Sequence, residues 1–286
     1  MTPPPLSRRI ALATGLTYHA LEWDGGDHTV VLLHGFLDLA WGWEEVAAAL
    51  AGRFHVVAPD LRGHGDSDWI GAGGYYHFLD YIADVDELIA RIGRGRVSIV
   101  GHSMGGSVAS YVAGTRPERI HRVALLEGLG PPETTDPIPD RAARWLDGWR
   151  AARARPARRM KTVEEAAARL CKHDELLDPE RALRLAQRGT IRDASGVRWK
   201  HDPLHLTMGP YPFRVDLAQS FWQRIRGPVL VVDGDRSRMR LADAELARRL
   251  AAFGDVKRAT VAGAGHMMQR HQPAAVAALL ADHLAG

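Results

Sequence analysis

A single cysteine, Cys171, stands in 286 residues, so no intrachain disulfide can form and a reducing compartment is the expectation. No apolar run approaches the ~18 residues that a membrane span needs. No apolar stretch with a cleavage site follows Met1-Thr-Pro-Pro-Pro-Leu-Ser-Arg-Arg-Ile. The expectation is therefore a cytoplasmic chain without a secretory signal or a membrane partner. Strong charge of either sign is also missing: the formal net charge is +3. A nucleic-acid partner is not expected, because such binding needs a concentrated basic face. The 14 histidines show no clustered metal-ligand spacing, so neither a catalytic metal nor a cofactor is expected. Internal repeats and low-complexity segments are absent too. What remains is an ordinary globular composition, 46% hydrophobic and 7% aromatic. Its length suits one large α/β domain, with or without an insertion.

Residues 8–14 and 16–23 alternate and are broken at Gly15 and again at Asp24-Gly25-Gly26-Asp27. They read as an antiparallel pair of strands. Val30-Val-Leu-Leu33 is a short continuous apolar run, and mostly apolar strands follow at 54–58, 97–100 and 123–126. Runs without alternation suit strands buried on both faces, as in a parallel sheet. Helical stretches at 42–51, 75–92 and 104–114 separate them. This alternation predicts a doubly wound, mostly parallel sheet. The rhythm breaks at Gly130-Pro131-Pro132. Residues 131–222 lack a comparable β-branched run and hold helical stretches near 139–154, 162–171 and 179–188. A Pro-rich, aromatic loop follows around Asp202-Pro-Leu-His-Leu and Pro210-Tyr-Pro-Phe213. Strand 228–232, helix 241–253, strand 256–261 and helix 273–284 resume the pattern. The expected organisation is a core of residues 1–130 and 223–286, interrupted by a helical insertion, 131–222. Seven arginines and one acid, Asp147, lie between residues 141 and 159. A solvated helix face is the expectation there.

Gly101-His102-Ser103-Met104-Gly105 matches G-x-S-x-G. At average composition a chain of this length meets that pattern by chance about one time in ten. Its setting carries the weight. It follows the apolar strand 97–100 and opens a helix rich in small residues: Gly105, Gly106, Ser107 and Ala109. A serine on so sharp a strand-to-helix turn is strained, and glycines two before and two after let the backbones approach. The turn exposes the hydroxyl at the C-terminal edge of the sheet. It also sets Ser103 at a helix N-terminus, where N–H groups and the dipole favour negative charge. Ser103 is the candidate nucleophile.

A serine hydroxyl needs a base at neutral pH. His266, in Gly263-Ala264-Gly265-His266, directly follows the last expected strand and precedes the last helix. On a loop at that edge it can reach Ser103. His102 adjoins the serine, but neighbours on a tight turn diverge. His34 lies in the turn after a strand and is expected to orient that loop. His55, His64 and His77 read as core or loop histidines. An oxyanion hole needs two backbone N–H groups. The candidates are Met104, which follows the nucleophile, and Phe36 in His34-Gly35-Phe36, where Gly35 permits close approach.

With these residues in place, the chain resembles members of the α/β-hydrolase superfamily over nearly all of its length, in particular the serine hydrolase-like proteins. The matching pieces are His34-Gly35-Phe36, Asp60-Leu-Arg-Gly-His-Gly-Asp-Ser67, Gly101-His-Ser-Met-Gly105 and Gly263-Ala-Gly-His266, in the family's order and spacing. The resemblance implies that residues 131–222 form the helical cap that roofs the active site. Trp145, Trp149, Leu204, Met208 and Phe213, with Trp199 and Leu206, are then candidate substrate lining, and their apolar character suits a hydrophobic acyl or alkyl group. Many relatives carry the triad acid in a Gly-x-x-Asp run, but here Gly234-Asp235-Arg236-Ser237 places serine there. Dehalogenase-like and luciferase-like members carry it at the end of the strand after the nucleophile helix, where this chain has Glu127. Glu127 is the expected acid, fixing the histidine tautomer. Asp235 is the alternative, and Asp233 lies earlier still.

Dehalogenases and epoxide hydrolases of this fold need an aspartate nucleophile, whereas serine at 103 suits attack on a carbonyl carbon. The expected activity is two-step acyl transfer on a carboxylic ester or related acyl compound, with a small molecule as partner. Similar triads cleave the carbon–carbon bond of diketones, and thioesters, amides and lactones are open. A ligand receptor on the same fold is the alternative of another class.

Overall fold

The computed structural model describes residues 4–154 and 159–286. Arg155 and Arg158 of the arginine-rich stretch, and the first three residues, lie outside them. The chain runs through β1 (Leu6–Ala11), β2 (Thr17–Trp23), β3 (His28–Leu33), α1 (Glu44–Leu50), β4 (His55–Pro59), α2 (Phe78–Ile92), β5 (Arg96–His102), α3 (Met104–Thr115) and β6 (Val123–Leu126). It continues with α4 (Ile138–Ala154), α5 (Val163–His173), α6 (Pro179–Gly189), β7 (Thr190–Asp193), β8 (Gly196–Trp199) and α7 (Val215–Trp222). The last elements are β9 (Val229–Gly234), α8 (Asp243–Leu250), β10 (Val256–Val261), α9 (Met268–His271) and α10 (Pro273–Ala285).

Eight strands form one sheet in the order β1-β2-β4-β3-β5-β6-β9-β10. β2 is antiparallel to β1 and β4, and all other neighbours are parallel. The continuous apolar runs have a direct cause: alternate residues of each central strand enter different cores. Val31, Leu33, Ile99, Val123, Leu125 and Val231 pack with residues of α2, α3, α7 and α8. Val30, Leu32, Val100, Ala124, Leu126 and Val232 pack on the other face with α1 and α10. From β3 the chain passes to β4 on one side, then returns to β5 on the other. That reversal opens a crevice at the C-terminal ends of β3 and β5, where α/β sheets bind ligands.

The segment between β6 and β9 packs in two ways. α5, α6 and β8 share a separate apolar cluster, which the core enters through Leu39, with Trp41 packed against it. α7 instead joins the main body: Val215, Ala218 and Trp222 are buried against it, and Trp222 Nε1 donates to Ser110 Oγ at 2.9 Å. The antiparallel hairpin β7–β8 is an element the apolar runs did not disclose. Three of the four β7 residues are exposed, so it carries an edge pattern rather than a buried run. α4 buries no residue. The five described arginines of the basic stretch each have a partner: Arg141, Arg144, Arg150, Arg153 and Arg159 meet Gly209, Asp136, Asp147, Gly74 and Asp193. Among the described residues no helix is long and apolar enough to cross a membrane.

Candidate active site

Ser103 sits between β5 and α3 with φ 51° and ψ −119°. Such a conformation persists only where the surroundings enforce it. They do so at very short range. A Cβ on Gly101 would lie 2.2 Å from the carbonyl oxygen of Gly105, so the turn closes only with glycine there. The Ser103 N–H donates to Leu126 O at 2.9 Å, tying the turn to the end of β6. Ser103 is partly exposed, and its Oγ has no hydrogen-bond partner among the described residues. A nucleophile–base contact of this kind is often loose without substrate.

His266 and Glu127 meet directly: Nδ1 donates to Oε2 at 2.6 Å. A carboxylate only accepts, so the proton sits on Nδ1 and leaves Nε2 as an acceptor. Glu127 is placed by φ 44° at the end of β6. Its Oε1 accepts the Gly234 N–H at 3.1 Å, and Oε2 also accepts Ser237 Oγ at 2.8 Å. Burial pushes its pKa up, but the bonds from His266, Gly234 and Ser237 outweigh this and hold it below the usual carboxylate range. Ser237, which stands where many relatives carry the acid, thus braces the Glu127 carboxylate. Asp235 does not meet His266. Its Oδ1 accepts the N–H of Ala264 at 3.2 Å and so fastens the same loop by its backbone. Asp233 faces Arg258 at 3.5 Å.

His102 diverges from Ser103, as expected, and its destination is informative. It is buried, and Nε2 donates to the backbone oxygen of His266 at 2.8 Å. Its Nδ1 accepts Nε2 of Gln269 at 3.3 Å. Burial and the neighbouring charge position of His266 push the His102 pKa well below the ordinary histidine value, so it is a fixed neutral donor. The turn that carries Ser103 therefore clamps the loop that carries His266. No sequence signal beyond adjacency to Ser103 marks this role.

The loop after β3 closes the site. A Cβ on Gly35 would lie 2.7 Å from His102 Nδ1 and 3.3 Å from Ser103 Cβ, so the loop packs on the nucleophile turn. The N–H groups of Phe36 and Met104 have no partner among the described residues. Next to Phe36, Leu37 takes φ 57°, and its N–H donates to His64 Nε2 at 3.3 Å. His34 orients the loop: Nδ1 donates to Gly35 O at 2.7 Å, and Nε2 accepts the N–H of Leu61 at 2.9 Å. His64 stacks on His205 with centroids 4.1 Å apart, and His205 stacks on Tyr76 at 3.9 Å. A column of rings thus links this loop to the segment after β8. His55 is also a structural histidine, bonded to Glu22 at 2.7 Å.

A cavity of about 600 Å³ opens beside His266. Phe36, Leu39, Leu170, Leu185 and Trp199 give it apolar wall. Of the expected lining residues, Trp199 walls this cavity, whereas Trp145, Trp149, Leu204, Met208 and Phe213 do not. Trp145 meets Tyr75 edge-on, Trp149 lies under Arg153, and Phe213 packs on Gly130 beneath Arg249. Leu204 is buried within its own turn, and Met208 and Leu206 face outward. Among the described residues, His19, Asp60 and Asp66 bring possible metal-ligating atoms within 4.8 Å of one another. These atoms are already engaged: Asp60 accepts His19 Nδ1 at 2.7 Å and the Asp66 N–H at 2.9 Å, and Lys200 meets Asp66 at 2.7 Å.

A sequence profile described as alpha/beta hydrolase fold matches residues 28–270. The 3-hydroxybutyrate-oligomer hydrolase of Cupriavidus necator is 29% identical over 279 residues, 92% of this chain and 90% of that protein. The soluble epoxide hydrolase of a Corynebacterium species is 38% identical over 132 residues, 45% of each, so this match spans less than half of that relative's length. The thioesterase domain from the curacin biosynthetic pathway is similar in structure, with a TM-score of 0.85 at 28% identity over 97% of this chain and 99% of that one.

Proposed function

The chain belongs to the alpha/beta hydrolase fold family, and from that premise we propose that it is a hydrolase that cleaves a carboxylic ester or related acyl compound through an acyl-serine intermediate. The observation that carries this reading is the 2.6 Å bond from His266 Nδ1 to Glu127, beside a serine held at φ 51°. Ser103 Oγ attacks the carbonyl carbon while His266 Nε2 takes its proton. The carbonyl oxygen, now an oxyanion, rests on the N–H groups of Phe36 and Met104. Collapse expels the alcohol, which receives the proton from His266. Water, deprotonated by the same nitrogen, then attacks the acyl-serine, and the acid leaves. Glu127 keeps Nδ1 protonated and stabilises the imidazolium in both halves.

The names of two relatives support acyl chemistry: a 3-hydroxybutyrate-oligomer hydrolase and a thioesterase domain. The similarity to an epoxide hydrolase does not extend to the expected nucleophile type, because an alkyl-ester route needs a carboxylate at position 103. Labelling with a fluorophosphonate probe, together with hydrolysis of short-chain 4-nitrophenyl esters, tests the reading. Labelling should map to Ser103 and vanish in Ser103→Ala. Folded protein that neither labels nor turns over ester would refute it.

A further inference from the structure

We infer that the substrate carries a carboxylate remote from the scissile carbonyl, and that Lys172 and Arg236 receive it. The inference rests on the acyl-transfer reading of the same site and concerns the cavity that His266 and Phe36 open into. Its lining combines apolar side chains with charged ones, of which Lys172, Glu175, Arg236 and Arg238 are exposed. Its carboxylates are already committed: Asp38 pairs with Arg270, Asp174 holds His271 at 2.8 Å, and Glu175 faces Arg238 at 3.9 Å. Lys200, also on the wall, pairs with Asp66 at 2.7 Å. Lys172 and Arg236 line the same cavity and have no anionic partner among the described residues.

Two features separate this pair from ordinary surface cations. They reach one cavity from different elements: Lys172 from the last turn of α5, and Arg236 from the turn after β9. The second turn is also fixed to the catalytic machinery. The Arg236 N–H donates to Ala264 O at 2.9 Å, while Gly234 and Ser237 on either side bond Glu127. The backbone that carries the exposed Arg236 side chain therefore sits at a set place relative to His266. A carboxylate bound there bridges α5 to the core and leaves the apolar wall for the chain between its two ends. A neutral ester leaves both cations facing an empty mouth.

The test pairs two esters of similar length, 4-nitrophenyl hydrogen adipate and 4-nitrophenyl hexanoate, with the binding of adipate itself to Ser103→Ala by calorimetry. Wild type should prefer the anionic ester in kcat/KM. The Lys172→Gln/Arg236→Gln double variant should lose about fivefold to tenfold of that preference, as for two partly screened charge contacts, with hexanoate turnover unchanged. High salt should erode the preference in wild type and not in the variant. Equal turnover of the two esters by wild type, or a preference that survives in the double variant, overturns the inference and leaves the acyl-transfer reading standing. Adipate binding that the double variant abolishes, in a protein that cleaves neither ester, refutes acyl transfer and keeps the carboxylate site. No adipate binding to Ser103→Ala overturns the site whatever the turnover.

Discussion

Glu127→Gln changes one atom and reverses the direction of two hydrogen bonds. In the wild type Oε1 accepts from Gly234 at 3.1 Å, while Oε2 accepts from His266 at 2.6 Å and from Ser237 at 2.8 Å. The Gly234 N–H can only donate, so the amide oxygen of glutamine stays with it. The new NH2 group then points at His266 and Ser237. The Ser237 hydroxyl can rotate and accept. His266 can keep a bond through Nδ1 only by giving up the proton there. That proton moves to Nε2, the nitrogen that must accept from Ser103. Wrong-tautomer variants of serine triads lose roughly 10⁴ in kcat, which is about 5.5 kcal/mol of barrier. We expect a loss of about 10³- to 10⁴-fold here, with KM and thermal stability little changed. Stopped-flow labelling by a fluorophosphonate probe should slow in parallel with ester turnover. Asp235→Asn should cost little, because its carboxylate meets the Ala264 N–H and not the imidazole. A Glu127→Gln enzyme within tenfold of wild type, beside a crippled Asp235→Asn, would refute the assignment.

Ser237→Ala removes one of the bonds that hold Glu127 below the ordinary carboxylate range against the push of burial. Glu127 should then protonate at a higher pH; the NMR titration of its carboxyl carbon should move upward relative to wild type, and an unmoved midpoint would contradict this. His102→Leu deletes the donor that holds the His266 carbonyl at 2.8 Å. It should lower kcat by about tenfold to a hundredfold through misplacement of the base, with KM steady. His102→Gln, whose amide can reach the same carbonyl, should recover much of the loss; equal damage in both would point to a packing role. His205 is buried, and desolvation, then the charge of His201, lowers its pKa to about 3. Below its unfolded value of about 6.5 the unfolded chain binds a proton that the folded chain does not, so stability drops as the pH is lowered from about 6.5 towards about 3. Urea unfolding should show about 2 kcal/mol less stability from this group at pH 5 than at pH 7, and His205→Gln should show a correspondingly weaker pH dependence.

The class of fold is legible in the sequence because β3, β4, β5, β6 and β9 are buried on both faces and so carry mostly apolar runs without polar alternation. The hairpin β7–β8 is not, since Ile191, Arg192 and Asp193 are exposed and Val197 alone in β8 is buried. α7 carries Val215, Ala218 and Trp222 at helical spacing, a signal present but short. The cavity wall was illegible for another reason. Which tryptophan lines the cavity depends on how the segment between β6 and β9 docks, and Trp145 and Trp149 ride on a helix that buries nothing.

Within the site, legibility follows strain. Among the described residues three non-glycine residues have positive φ: Leu37, Ser103 and Glu127. All three stand at sheet ends around one crevice, and each such conformation costs on the order of 1–3 kcal/mol. Only Ser103 advertises its strain, because the backbone contact at Gly101 requires glycine spacing around it. Leu37 and Glu127 are held by partners distant in sequence: His64 receives the Leu37 N–H, and Val232 O receives the Glu127 N–H at 2.9 Å. Composition and spacing therefore left Glu127 and Asp235 as rivals, both ending neighbouring strands of the sheet. What separates them is the direction in which a left-handed residue aims its side chain. The same logic explains why His64, His102 and Ser237 looked bland. Their work is to hold strained neighbours in place, and that work exists only once the fold has brought the two together.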